Sequence, residues 1–144
     1  MNRCIIGLLL CLLFCSPAIA GEGIAIVKLV QGDVTIKRSG EISSIKQSDK
    51  LQAGDILMTG GNSQVGVIFH DGSAISLEEN SFLNVKEFIF KPIENEFEFN
   101  LYLEKGAALF ESGKIGKLSP ESFTFEIPGG TIGIRGTKFL VEVR

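Results

Sequence analysis

The chain of 144 residues has no tryptophan, one tyrosine, one histidine and four prolines, and its three cysteines, Cys4, Cys11 and Cys15, crowd into the first fifteen positions. Each shortage excludes something. Once the leader argued below is removed, no disulfide framework and no thiolate metal site remain. A lone His70 cannot build a typical zinc site, and neither a Cys-His nor a Ser-His-Asp order can be assigned. No metal ligand, cofactor-binding residue or catalytic residue is therefore expected. Basic excess is also missing, with 14 Lys and Arg against 17 Asp and Glu and a net charge of −3. Such a mildly acidic surface argues against nucleic acid as a partner.

Long hydrophobic runs are absent beyond the first twenty residues. Within them, Arg3 supplies a positive end, Ile5 to Cys15 an apolar run of eleven, and Ala18-Ile19-Ala20 the small residues a signal peptidase requires. Residues 1–20 read as a cleaved signal peptide, with the cut expected between Ala20 and Gly21. The run is shorter than the roughly 20 residues a spanning helix needs and is interrupted by Ser16 and Pro17. A retained anchor is the alternative, and lipid attachment at Cys15 is disfavoured by Phe14, where a small residue is usual. The mature chain, residues 21–144, is then expected to be one domain, not membrane-spanning, periplasmic or secreted. It carries 13 basic against 17 acidic residues, a net of −4.

Glycine is plentiful: sixteen of the seventeen fall in the mature part, about 13% against a usual ~7%. Between the glycines, apolar residues rich in Val, Ile and Phe alternate with polar ones, which is the pattern of half-buried strands. Over Asn95 to Leu103, Phe97, Phe99, Leu101 and Leu103 point one way and Glu96, Glu98, Asn100 and Tyr102 the other. The alternation recurs at Phe123, Phe125 and Ile127 and at Phe139, Val141 and Val143. Val34 with Ile36, and Val65, Val67 and Phe69, mark further strands. Asp71-Gly72 is expected to form a two-residue hairpin turn, both residues taking positive backbone angles. Gly40 to Gln52 is the place left for a loop or short helix, and Leu118 to Glu121 reads as a loop. Gly32-Asp33-Val34 and Gly54-Asp55-Ile56 hint at an internal echo. The sum is a compact all-β domain of nine to eleven short strands.

Several side-chain groups invite a chemical reading. Glu94, Glu96 and Glu98 are expected on one strand face, spaced about 6.5 to 7 Å per step, a separation that overlaps glycosidase carboxylates. Strand geometry produces that spacing wherever acids alternate, so a solvated face is the reading adopted. Glu78-Glu79 beside a turn is read the same way. Pro128-Gly129-Gly130-Thr131 lacks the lysine and the following helix of a phosphate loop and is expected to be a turn. His70 is expected on the surface or in the turn. Most of the ten mature phenylalanines should fill the core that tryptophan does not. Lys138 to Val143 is expected at a sheet edge, available to pair with another chain.

Three stretches together resemble the FecR domain, a periplasmic sensor-transducer module. They are Ala53-Gly54-Asp55-Ile56-Leu57-Met58-Thr59-Gly60, then Phe69-His70-Asp71-Gly72-Ser73-Ala74-Ile75-Ser76-Leu77, then Thr131-Ile132-Gly133-Ile134-Arg135-Gly136-Thr137-Lys138-Phe139. The resemblance spans roughly residues 27 to 143 and departs from the family at Ile127-Pro128, where Thr-Pro is common. It implies a single twisted β-solenoid-like or sandwich-like module. It also singles out Gly54, Asp55, Asp71, Gly72, Arg135, Gly136 and Thr137 as structural or binding positions. Arg135, set among apolar and small residues, is expected to lie against the core. There its five donors would tie loop carbonyls together or pair with a carboxylate such as Asp71, with recognition of an anion as the alternative.

Transducers of this family carry a cytoplasmic segment and a membrane helix ahead of the domain, which 124 exported residues do not accommodate. The expectation is a non-enzymatic binding or scaffold module that engages another envelope protein or a second copy of itself. A polysaccharide- or cell-wall-binding module is the alternative.

Overall fold

A computed structural model describes residues 23–134 and 138–144. Twelve strands carry the fold: β1 (Ala25–Gln31), β2 (Val34–Arg38), β3 (Glu41–Ser44), β4 (Lys50–Leu51), β5 (Ile56–Thr59), β6 (Gln64–Phe69), β7 (Ala74–Leu77), β8 (Phe82–Lys91), β9 (Glu96–Glu111), β10 (Phe123–Ile127), β11 (Gly130–Ile132) and β12 (Lys138–Val143). One short helix, α1 (Lys114–Leu118), lies between β9 and β10. The all-β expectation holds, with one strand more than the upper count.

All the strands join one curled sheet in the order β3-β2-β5-β8-β9-β7-β6-β1-β4, with β10 and β12 branching from β9 and β11 following β10. The pairs are antiparallel except β9 with β10. The sixteen-residue β9 makes the curl. Its first part pairs with β8 on one side and β10 on the other; its last part pairs with β7 and β12.

Gly106 marks the change. Its φ of +94° is a conformation that L side chains rarely adopt. Before it the buried residues are odd, Phe99, Leu101 and Leu103; after it they are even, Ala108 and Phe110. One residue of positive φ thus turns β9 over by one side chain and lets a single strand face the same core from two walls. A bulge in β8 between Val85 and Glu87 does the same, moving burial from Leu83 and Val85 to Phe88.

The core between the walls is a packed series of rings. Phe69, Phe88, Phe99, Phe110, Phe123 and Phe125 are buried. Ring centroids lie 4.6 Å apart for Phe69–Phe99 and 4.6 Å for Phe110–Phe123, and Phe99 bridges the two pairs at 5.8 Å from Phe110. Tilted and edge-on contacts at such distances are the favoured aromatic geometries. Six of the ten phenylalanines among the described residues are therefore core, as expected from the missing tryptophan.

Three local expectations are corrected. Gly40–Gln52, expected as a loop or short helix, holds strands β3 and β4 with a loop over residues 45–49 between them. Ser39 and Gly40 both have positive φ, 51° and 83°, so Arg38 and Glu41 pair across a two-residue turn of the primed kind. Asp71-Gly72 does not form such a turn, because of the two only Gly72 has positive φ. Phe69 N donates to Ser73 O at 2.8 Å and Gly72 N to Phe69 O at 2.9 Å, which closes a three-residue loop instead. Finally, Glu94 lies in a 3-10 turn (Pro92–Glu94), and Asn95 at φ 53° separates it from β9, so the three glutamates do not share a strand face. Lys91 Nζ stands 3.7 Å from both Glu94 and Glu96.

Candidate functional site

The two Asp-containing motifs build turns and do not meet. Asp55, 1% exposed, accepts Arg38 Nε on Oδ1 at 2.8 Å and Arg38 Nη2 on Oδ2 at 2.6 Å, with Gln52 N on Oδ2 at 2.8 Å. This fork-to-carboxylate match satisfies a buried charge with three donors. The hydrogen bond to Asp55 raises the Arg38 pKa above the ordinary guanidinium value, burial opposes that rise, and the charges of Asp55 and Asp49 assist it. Gly54, at φ +91°, lets its own amide reach Val85 O at 2.7 Å, while Val85 N donates to Asp55 O. The echo at Gly32-Asp33 is of backbone only: Gly32 has φ +74° and Asp33 O accepts Gly60 N at 2.9 Å, but the Asp33 side chain is exposed.

Asp71, also 1% exposed, ties the β6–β7 loop to the start of α1. Its carboxylate accepts Ser73 N at 2.9 Å, Ser73 Oγ at 2.8 Å and Ile115 N at 3.1 Å, and its carbonyl accepts Lys114 N at 2.8 Å. Ser73 Oγ in turn accepts Gly113 N at 2.8 Å. A five-residue helix is far too short to hold on its own, so these long-range bonds are what fix it. Five residues are too few to carry a helical period. Gly113 has no room for a side chain, since a Cβ would run into Ser73 N and Asp71 O.

Arg135, Gly136 and Thr137 lie outside the described residues, as does the leader expected over residues 1–20. His70 is exposed in its turn, as expected. It borders a cleft of about 300 Å³ with Ile24, Phe88, Phe90 and Lys91. Pro128 and Gly129 form the two-residue turn between β10 and β11, with Gly129 at φ +87°. Among the described residues no group of three or more His, Cys, Asp or Glu could hold a metal ion.

What the turns leave open is a face and an edge. On the outer side of the β1–β6–β7–β9–β12 wall, register places Leu29, Gly66, Ser76, Leu109 and Leu140 in one row across five strands. The next row begins Ile26, Ile68 and Ala74 and ends Glu111 and Lys138. Leu29 is 42%, Ile68 40% and Leu140 67% exposed. β12 pairs with β9 alone among the described strands, so the edge expected at Lys138–Val143 is there. Among the other edges, β11 has three residues, β4 two and β3 four, while residues 86–91 of β8 pair with β9 alone among the described strands. β1 is flanked by the segment that ends in β4, through Ser48 N to Val27 O at 2.8 Å and Val27 N to Asp49 O at 2.9 Å. Short edges are a common device against unwanted pairing; β12 and residues 86–91 of β8 are longer, and of their exposed apolar side chains Leu140, 67% exposed, is more open than Ile89 at 41%. The other candidate face, around Tyr102, is polar: its strand neighbours are Asn84 and Glu126, and Glu126 meets Lys86 at 3.3 Å.

The described residues thus form a curled, phenylalanine-filled β module with buried turn-forming aspartates and an open edge strand. The family model described as FecR protein matches residues 55–144, and the chain belongs to that family. The match begins at Asp55, and the strands ahead of it are hydrogen-bonded into the same sheet. The family is one of envelope-related, non-catalytic modules. Among curated proteins none matches the chain. A solved structure titled "Cell surface anchoring domain" is similar at 27% identity and a TM-score of 0.41, over 43% of this chain and 83% of that one. Among the described residues no helix is long and apolar enough to cross a membrane.

Proposed function

We propose that this protein is a non-enzymatic binding module of the bacterial envelope, exported by a leader cleaved between Ala20 and Gly21, which docks a protein partner along β12. The observation that carries the reading is the open edge of Lys138–Val143 next to an apolar outer row that ends at Leu140, 67% exposed. An added strand would gain main-chain hydrogen bonds from the edge and side-chain contact from the row. The glycan alternative draws less support, because most of the rings on which a sugar would stack are turned into the core. Arg135, Gly136 and Thr137 immediately precede β12 in the chain.

A photo-crosslinking amino acid at Leu140, introduced into the full chain in the native host, tests this. Crosslinks to one envelope protein or to the chain itself are expected, with none from the same group placed at Ile42. No Leu140 adduct, combined with retention of the purified protein on peptidoglycan, would replace the docking reading with the glycan one.

A further inference from the structure

We infer that the occupant of the β12 edge is β12 of a second copy of this chain, paired antiparallel about a two-fold axis through Leu140. The inference rests on the reading of β12 as the docking edge and names its partner.

The argument is one of register. In an antiparallel pair, residues directly opposite point to the same side of the sheet, so only registers that match even residues with even ones keep the outer and inner faces intact. On β12 the outer face carries Lys138, Leu140 and Glu142, and the inner face carries Phe139, Val141 and Val143. Centring the axis on Leu140 sets Leu140 against its own copy. It also sets Lys138 against Glu142 of the second copy, and because the axis is two-fold this happens twice. Phe139 faces Val141 on the inner side. Side chains in such pairs approach to about 4.5–5.5 Å, close enough for both ion pairs.

Moving the axis one residue to Val141 sets Lys138 against Arg144 twice and leaves Leu140 facing Glu142. Moving it to Glu142 sets that carboxylate against itself. Like charges opposite one another disfavour both alternatives. Of these three registers the one centred on Leu140 is self-complementary, which is what an isologous contact requires. Glu142 is available for it: its present contact, Arg144 Nε at 3.1 Å, is between two exposed side chains and contributes little.

Pairing in this register makes one sheet of the two outer walls, strands β1-β6-β7-β9-β12 meeting their copies. The row Leu29, Gly66, Ser76, Leu109 and Leu140 then runs on into Leu140 and Leu109 of the second copy. Both edge strands are removed from solution, and the partner needs no segment other than the one already present.

Sedimentation equilibrium on the protein purified from cells expressing the full chain supplies the test, with circular dichroism confirming the fold of every variant. Wild type is expected to dimerise. Lys138→Glu and Glu142→Lys, each turning two attractive pairs into two repulsive ones, are expected to weaken the dimer about tenfold. The double variant carrying both changes restores the pairs with their signs exchanged and is expected to return to wild-type affinity. A monomeric wild type, single variants that dimerise normally, or a double variant that stays weak would each overturn the inference. A monomer that still crosslinks from Leu140 to a different envelope protein would overturn this inference while leaving the docking reading intact. Loss of the Leu140 crosslink altogether would remove both.

Discussion

Arg38 grips Asp55 through both carboxylate oxygens, at 2.8 Å and 2.6 Å, although seventeen residues and two strands separate them in the chain. The two sides of the pair are unequal: Asp55 is 1% exposed and the Arg38 side chain 36%. Removing one is therefore different from removing the other. Arg38→Ala strands a buried carboxylate with one remaining donor, Gln52 N, and is expected to cost about 2–3 kcal/mol. Asp55→Asn keeps an acceptor for Gln52 N and lets Arg38 turn to water, at about 1 kcal/mol. Urea unfolding midpoints give the order, and a reversed order would show the turn, not the charge, to be the governing term. Because the Arg38 pKa is raised, this contribution is fully present below the ordinary guanidinium pKa and lost only as pH rises through the higher folded value. Its strength is constant across neutral pH.

Gly106→Ala tests the turnover of β9. The new methyl would meet Ser81 Oγ and Cα, and the φ of +94° strains any residue with a Cβ. A loss of about 3 kcal/mol or more is expected from strain and overpacking together. The companion change Gly129→Ala has a similar φ of +87° but nothing within 4 Å of its Cβ, so strain acts alone and about 1–2 kcal/mol is expected. Thermal unfolding of the pair separates space from backbone strain.

Asp71→Ala removes the acceptor of Ser73 N, Ser73 Oγ and Ile115 N at once. A loss of about 2–4 kcal/mol is expected, with Ser73→Ala nearer 1 kcal/mol. Amide exchange distinguishes this from general destabilisation: Lys114, Ile115 and Ser119 should lose protection ahead of β9. Uniform loss would mean that α1 holds without the loop.

Glu121 carries the acid-side prediction. Its pKa is lowered from 4.5, first by its own backbone amide and then by the Ser119 hydroxyl, which donates to Oε1 at 2.9 Å. A lowered carboxyl contributes above its unfolded value and loses that contribution as pH falls through the folded one. The Pro120–Ser122 turn is expected to loosen below pH 4.5. A titration of Glu121 followed by NMR should show a midpoint under 4.5 that moves upward, without reaching it, in Ser119→Ala. An unmoved midpoint would mean that the hydroxyl bond is not formed in solution.

The strands were legible because burial on one face writes itself into alternation. Val65, Val67 and Phe69, or Phe123 and Phe125, are odd because they are inside. Where the chain changes face, alternation is broken by one residue and reads as noise, as at Gly106 and at Val85/Glu87. Glycine at 106 looked like punctuation, yet the strand runs through it. Ser39-Gly40 makes the primed turn and Asp71-Gly72 does not; the residue pair alone does not say which backbone amides its side chain will accept. At Asp71 the carboxylate is committed to Ser73 and Ile115, and that second partner lies 44 residues away. Arg38 gave no local sign of its role for the same reason, since its carboxylate lies beyond β3 and β4. The edge at β12 was readable from the end of the alternation, and its self-complementary charges only became meaningful once Lys138, Leu140 and Glu142 shared an exposed face.

Because β9 serves both walls, neither wall keeps its full set of neighbours if the other opens. Among the described residues there is no seam along which half could swing away from half. Ligand or partner binding at one rim therefore reaches the far rim as a change of position and orientation of a stiff body, and a larger assembly would use this domain as a spacer or coupling piece whose own shape stays constant.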